Sequence, residues 1–221
     1  MSDGKPDLSA PAPKTSDGKP DLSGIWVAVN AKYLNDLAAD GINVPIQPWA
    51  QALYKQRKEN MGKGRPSERC LTRGVVDFDT IPMNIKFIQT PGVIAVLYEE
   101  YNHFRQIFLD GRPLPKPTQP AYMGYSIGRF EGDTLVVDTT GFNDIGWLDN
   151  NGYPQTESLH VTERFHRRDF GHMDLQITID DSKAYMKPWT VTVAGFRLLA
   201  DEELIENICE NEKDFAHMVG K

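Results

Sequence analysis

The chain of 221 residues is poor in cysteine, in positive charge and in long apolar runs, and each shortage excludes something. Its longest apolar run, Val93 to Tyr98, falls far short of the roughly 20 residues a membrane-spanning helix needs, so no membrane insertion is expected. The formal net charge is −7 and no basic stripe interleaves with aromatics. Nucleic acid is therefore not an expected partner. The two cysteines, Cys70 and Cys209, lack any C-x-x-C spacing; they form either one long-range disulfide or two free thiols. Met-Ser-Asp-Gly-Lys-Pro at the start has no apolar core of the signal-peptide kind. There is no G-x-S-x-G, G-x-G-x-x-G or P-loop, so neither an activated serine nor a nucleotide cofactor is expected, and no cofactor of another kind is called for.

What the chain does hold is alternation. In Ser158 to Asp181, two runs of alternating polar and apolar residues flank Arg168-Asp169-Phe170-Gly171, the pattern of a β-hairpin. With Arg168 opposite His172, Phe165 faces Leu175, Glu163 faces Ile177 and Val161 faces Ile179, while polar residues such as His160, Arg164, His166, Asp174 and Asp180 share the other side. A slip of one residue would mix the two sets, so the pattern specifies the pairing. A second hairpin, Val93 to Asp110, turns at Tyr101-Asn102; Ile94, Val96, Tyr98 and Glu100 meet His103, Arg105, Ile107 and Leu109, a face graded from apolar to polar like a ligand pocket. A turn one residue longer would re-sort those faces. The third, Tyr122 to Thr140, turns at Glu131-Gly132 and sets Tyr125 opposite Asp138 and Phe130 opposite Asp133. Its Gly124, Ser126 and Gly128 leave one face thin, so another layer or a ligand approaches there.

Asn84 to Thr90, Trp189 to Val193 and Leu204 to Cys209 complete the expected strands. Pro48 to Asn60 has the start and stop signals of a helix, with Trp49, Ala52 and Leu53 on one side. The expected fold is a mainly β, antiparallel calycin- or lipocalin-like barrel or strongly bent sheet with one helix, a β-sandwich being the alternative. Residues 23–211 form one domain, between a flexible tail at 1–22, where SDGKPDLS occurs twice around a Pro-rich segment, and a tail at 212–221.

Glu163 is the leading site candidate. A carboxylate on an apolar sheet face loses hydration, and its raised pKa would suit a general acid or base. The competing reading is a structural ion pair, for which Arg105 is the natural partner. Tyr125, Asp138 and His160 are candidate assistants; Arg105, Tyr98, Trp147, Asp149 and Trp189 are candidate substrate contacts. Trp147 and Asp149 belong to the connection Thr140 to Glu157, long enough to close over a ligand. The histidines do not suggest a metal: His160 and His166 are about 20 Å apart along one strand, and Arg164 and Arg168 flank His166 on the same face.

Two stretches carry resemblances. Gly24-Ile25-Trp26 is similar to the G-x-W of lipocalin-like barrels, whose tryptophan closes the barrel base. Lys14 to Trp26, KTSDGKPDLSGIW, resembles the mature start, TPDGKPDLSGIW-like, of a group of exported soil-bacterial proteins, and the likeness continues in RQIFLDGRPLP from Arg105, MGYSIGRFEGDTLVVDTTGFND from Met123 and LHVTERFHRRDFGHM from Leu159. It implies export to the periplasm or beyond and no particular activity. The functional expectation is a cofactor-independent acid/base enzyme, a lyase, isomerase or hydrolase, acting on a small organic or sugar-like substrate in a barrel cavity. The alternative is a non-catalytic, lipocalin-like binding protein.

Overall fold

In the computed structural model, which describes residues 5–116 and 119–209, nine strands close into one barrel. They are β1 (Gly24–Ala28), β2 (Ile85–Gln89), β3 (Val93–Tyr98), β4 (His103–Phe108), β5 (Tyr125–Glu131), β6 (Thr134–Thr140), β7 (His160–Arg167), β8 (His172–Asp180) and β9 (Trp189–Leu198). Each pairs with the next in sequence, and β9 returns to β1 through Trp26↔Leu198 and Ala28↔Phe196. Closure removes the exposed edges a sandwich would leave. All pairs are antiparallel except β4 and β5, which run parallel over Ile107↔Ser126 and Phe108↔Ile127. The Pro-rich segment after Asp110 carries the chain back to the end from which β4 started.

The β7–β8 register is the one expected, with Phe165↔Leu175, Glu163↔Ile177 and Val161↔Ile179. Two other hairpins pair two residues away from expectation. Strands β3 and β4 pair as Tyr98↔His103 and Val96↔Arg105, because the connection takes four residues, including Tyr101 and Asn102 with φ of 59° and 54°. Strands β5 and β6 turn at Gly132-Asp133, so Tyr125 lies opposite Thr140, and Asp138 opposite Ile127. A shift of two leaves each residue on its expected face. Strand β9 runs five residues past Val193 by way of a bulge at Gly195, whose φ is 91° and where a Cβ would stand 2.5 Å from the Met173 carbonyl. Gly195→Ala is expected to cost about 2 kcal/mol or more, read as a lower urea midpoint. Leu204 to Cys209 is not a strand. It is held by the Cys70–Cys209 disulfide and by the Ile205 N–H donating to Glu99 at 3.2 Å.

Among the described residues three α-helices are short additions: α1 (Lys32–Asn35), α2 (Pro48–Glu59) and α3 (Val75–Phe78). Only α2 is longer than one turn, and its buried face is Ala50 and Tyr54 rather than Trp49, Ala52 and Leu53. Tyr54 stacks on Tyr153 at 4.0 Å, which turns the helix away from the expected side; Trp49 is 48% exposed.

Take as the upper end that where β3 finishes and β4 begins. The lower end is closed by Trp26, fully buried, whose indole N–H donates to the Leu22 carbonyl at 3.0 Å under the Arg167 guanidinium, 4.8 Å from the ring. Residues 7–22 lie against this end rather than away from it. The Phe170 and Gly171 N–H groups donate to the Ala10 and Leu8 carbonyls at 2.7 and 2.8 Å. The two sequence copies make the same turn, Asp7 accepting from the Ser9 N–H and Asp21 from the Ser23 N–H, each at 2.9 Å. The expected tail 212–221 lies outside the described residues.

Candidate functional site

The upper barrel interior is where polar side chains meet. Most inward positions there are apolar, among them Ile85, Val96, Ile107, Val137, Val161 and Ile177, all buried. Glu163 enters from β7 and Arg105 from β4, and they meet as a bidentate pair: Nη1 donates to Oε1 at 2.8 Å and Nη2 to Oε2 at 2.5 Å. Arg105 Nε donates to Ser126 at 2.9 Å and Nη2 to Thr139 at 2.7 Å. Ser126 sits between Gly124 and Gly128, so the thin face of β5 is covered by Arg105 and by Ile107, whose Cγ2 lies 2.8 Å from where a Gly128 Cβ would be. Another protein layer, rather than open space, approaches there.

A second carboxyl joins them from above. Residues 74–81, which include α3, are buried without a break and cover this polar cluster; Phe78 stacks on Tyr98 at 4.4 Å. Asp79, at the end of α3, is 1% exposed and forms no ion pair among the described residues. Burial, then the charge of Glu163 and a hydrogen bond shared with it, raise the Asp79 carboxyl well above the usual range, against the pull of Arg105 and Tyr98. One guanidinium lies within reach of two carboxyls and is bound to Glu163, which leaves Asp79 without a cation of its own. Asp79 Oδ2 and the Tyr98 hydroxyl are buried without a hydrogen-bond partner, and burial keeps the phenol neutral.

The roof has its own polar anchor in Arg73. Its Nε donates to Glu100 at 2.6 Å, and Nη1 to Asp77 at 3.1 Å and to Asn150 of the 140–157 loop at 3.0 Å. Asp149 in that loop accepts from the Leu37, Gly152 and Tyr153 N–H groups at 3.0, 2.8 and 3.1 Å. Burial outweighs these partners, and Asp77 and Asp149 are each pushed up to about 7. Both folded values lie above the ordinary carboxyl value, so the folded chain keeps protons that the unfolded chain releases above about pH 4. The stability these groups contribute is whole below that pH and is lost as pH rises through about 7. Urea midpoints are expected to fall between pH 5 and 8, and to fall less in Asp77→Asn and Asp149→Asn. A decline of equal size in both variants would remove these carboxyls as its cause.

Of the residues picked out from the sequence, Glu163, Arg105 and Tyr98 come together. Tyr125, Asp138 and His160 do not join them. The Tyr125 hydroxyl accepts from Arg112 at 2.9 Å, and its ring stacks on Phe108. Asp138 lies on the outer face, where it meets His160 Nε2 at 3.0 Å, Thr162 at 2.8 Å and Arg129 at 2.6 Å. Although burial pushes the other way, those bonds hold the Asp138 carboxyl below the usual range. Trp147 lies under Arg57, whose guanidinium is 4.2 Å from the ring, and Trp189 packs against Tyr153 and Tyr185. The long loop thus spends its aromatic side chains on α2 and the barrel end. Among the described residues no three His, Cys, Asp or Glu side chains converge as a metal site would require. A surface hollow of about 340 Å³ between α2 and the loop is lined by Trp49, Arg57, Asp144 and Lys183, none of them from the chamber.

Asp79, Ser126 and Thr139 were missed from the sequence. The signal that marked Glu163, a carboxylate among apolar residues, is present twice in Val75 to Ile81, VVDFDTI. That segment shows no period because the protein surrounds it on all sides. Comparison of the chain with protein-family models, curated proteins and solved structures finds no match.

Proposed function

We propose that the protein is an acid/base enzyme of the lyase, isomerase or hydrolase type, acting on a small organic substrate in the upper barrel. The observation that carries this reading is the buried pair Asp79 and Glu163, of which only Glu163 has a bidentate arginine, Arg105, while burial beside it raises the Asp79 carboxyl. Arg105 is the bidentate partner of Glu163 and leaves Asp79 without one. Asp79 is then the proton donor and Glu163 the acceptor that the Arg105 pair orients. Tyr98 adds a second donor. Without turnover the same barrel would make a binding protein of the lipocalin-like kind, which its apolar interior favours. Export is part of the proposal, supported by the bridged cysteines and by the N-terminal resemblance.

Two measurements test the reading. Wild-type protein at neutral pH should show the infrared carbonyl band of a buried, protonated carboxyl, absent from Asp79→Asn. In a screen of small esters, lactones, enones and sugars, any activity found should drop about 100-fold or more in Asp79→Asn. Turnover indifferent to that substitution would sink the enzyme reading, and a ligand bound but unchanged would favour carriage.

A further inference from the structure

We infer that the hollow between α2 and the 140–157 loop binds a sugar acid, with its carboxylate on Arg57 and the face of its ring against Trp49. The hollow shares no residue with the Asp79 and Glu163 cluster, so the two readings stand or fall separately.

The first argument is an unspent cation. Arg57 is half-buried, with the Trp147 ring 4.2 Å from its guanidinium, and makes a single hydrogen bond, from Nη1 to the Gly152 carbonyl at 3.1 Å. Among the described residues no carboxylate pairs with it. Other arginines drawn into the fold are provided for: Arg73 has Glu100 and Asp77, Arg105 has Glu163, and Arg167 has the carbonyls of Asp21, Asp169 and Phe170. Burial lowers the Arg57 guanidinium to about 10, although Tyr185 and Asp149 act the other way. A cation held at such a cost calls for a partner. A carboxylate is the group whose two oxygens match a guanidinium fork.

The second argument is room and shape. The hollow measures about 340 Å³ and is lined by Arg57, Trp49, Gln155 and Asp144 among others, space for one ring with its substituents. The Trp49 indole N–H donates to the Lys183 carbonyl at 2.9 Å, which fixes the ring, yet the residue stays 48% exposed. A sugar ring presents a flat C–H face that such an indole can cover. Glycines seat the two side chains behind it. A Cβ on Gly152, whose φ is 97°, would stand 2.5 Å from Arg57 Cδ, and one on Gly146 would stand 2.4 Å from Gln155 Nε2.

The third argument is what else a ligand would meet. Gln155, buried, donates from Nε2 to the Asn143 carbonyl at 2.9 Å, and its amide oxygen accepts nothing from the described residues. Asp144 is exposed and has no ion-pair partner among them. Lys183 and Glu157 pair with each other at 2.8 Å. Beside the place for a carboxylate the hollow thus offers acceptors, and hydroxyl groups are the donors that meet them without a second charge.

Glucuronate, glucose, benzoate and phenylalanine separate the classes, titrated into the full chain and followed by NMR shifts in the wild type, Arg57→Met, Trp49→Ala and Asp144→Asn. Glucuronate is expected to bind about tenfold or more tightly than glucose, a charge-assisted hydrogen bond being worth at least that factor. The shifts should centre on the Trp49 indole N–H and the Gly152 amide. Arg57→Met should abolish the preference, and Trp49→Ala should weaken both sugars with its circular dichroism unchanged. Glucuronate failing to bind, binding no more tightly than glucose, or keeping its preference in Arg57→Met overturns the inference. Benzoate held as tightly as glucuronate overturns the sugar as the ligand class. Phenylalanine held more tightly, with that gain lost in Asp144→Asn, overturns it in favour of an amino acid.

Discussion

Glu163→Gln is expected to destabilise the protein by about 3 kcal/mol or more, seen as a lower urea midpoint with an unchanged slope. The amide preserves the shape of the side chain and removes its charge, which leaves the Arg105 guanidinium, 4% exposed, without its counter-ion. Among the described residues Asp79 is the other carboxyl reaching this network, and it can partly take over by giving up its proton to solvent. Its protonated-carboxyl infrared band should therefore weaken in Glu163→Gln at neutral pH. Adding Asp79→Asn closes that route, so the double variant should lose more stability than the two single losses added together. Additive losses would mean that Asp79 and Glu163 do not share a proton, and the proposed acid/base pair would go with them.

Reduction of the Cys70–Cys209 bond should cost about 3 to 5 kcal/mol. The bridge spans 139 residues of sequence, a loop that contains every strand after β1, so releasing it frees a large part of the unfolded chain. In the folded state little should change beyond the segment after Leu198, which would keep the contacts of Ile205 with Glu99 and of Asn207 with Asn102 as its anchors. Melting of Cys70→Ser/Cys209→Ser beside the oxidised wild type measures the difference. Faster hydrogen exchange confined to residues 199–209 would separate the folded-state part from the unfolded-state part. A melting point unmoved by the double substitution would falsify the entropic account.

Local pattern settled a good deal. The β7–β8 pairing was legible because one face of that hairpin must be apolar and the turn is short, which sets Val161, Glu163 and Phe165 against Ile179, Ile177 and Leu175. Burial of Glu163 followed from that face, and Arg105 as its partner from being the cation on the graded face of β3 and β4. For β3–β4 and β5–β6, alternation assigned faces correctly but not register. Faces repeat every two residues, and where a turn closes depends on backbone angles such as the positive φ of Tyr101, Asn102 and Gly132, to which side-chain polarity is blind.

The rest was decided only by the tertiary structure. Closure of nine strands into a barrel is a matter of which edges meet, and β1 and β9 meet through Ala28↔Phe196, 168 residues apart in sequence, too far for local pattern to join. Tyr125, Asp138 and His160 are polar in sequence like any site residue, and only the barrel puts them on its outer face. Asp79 needed the whole molecule: its carboxyl is raised because it is buried where the one cation within reach is already bound to another carboxylate, and that depends on α3, β4 and β7 converging from three distant parts of the chain.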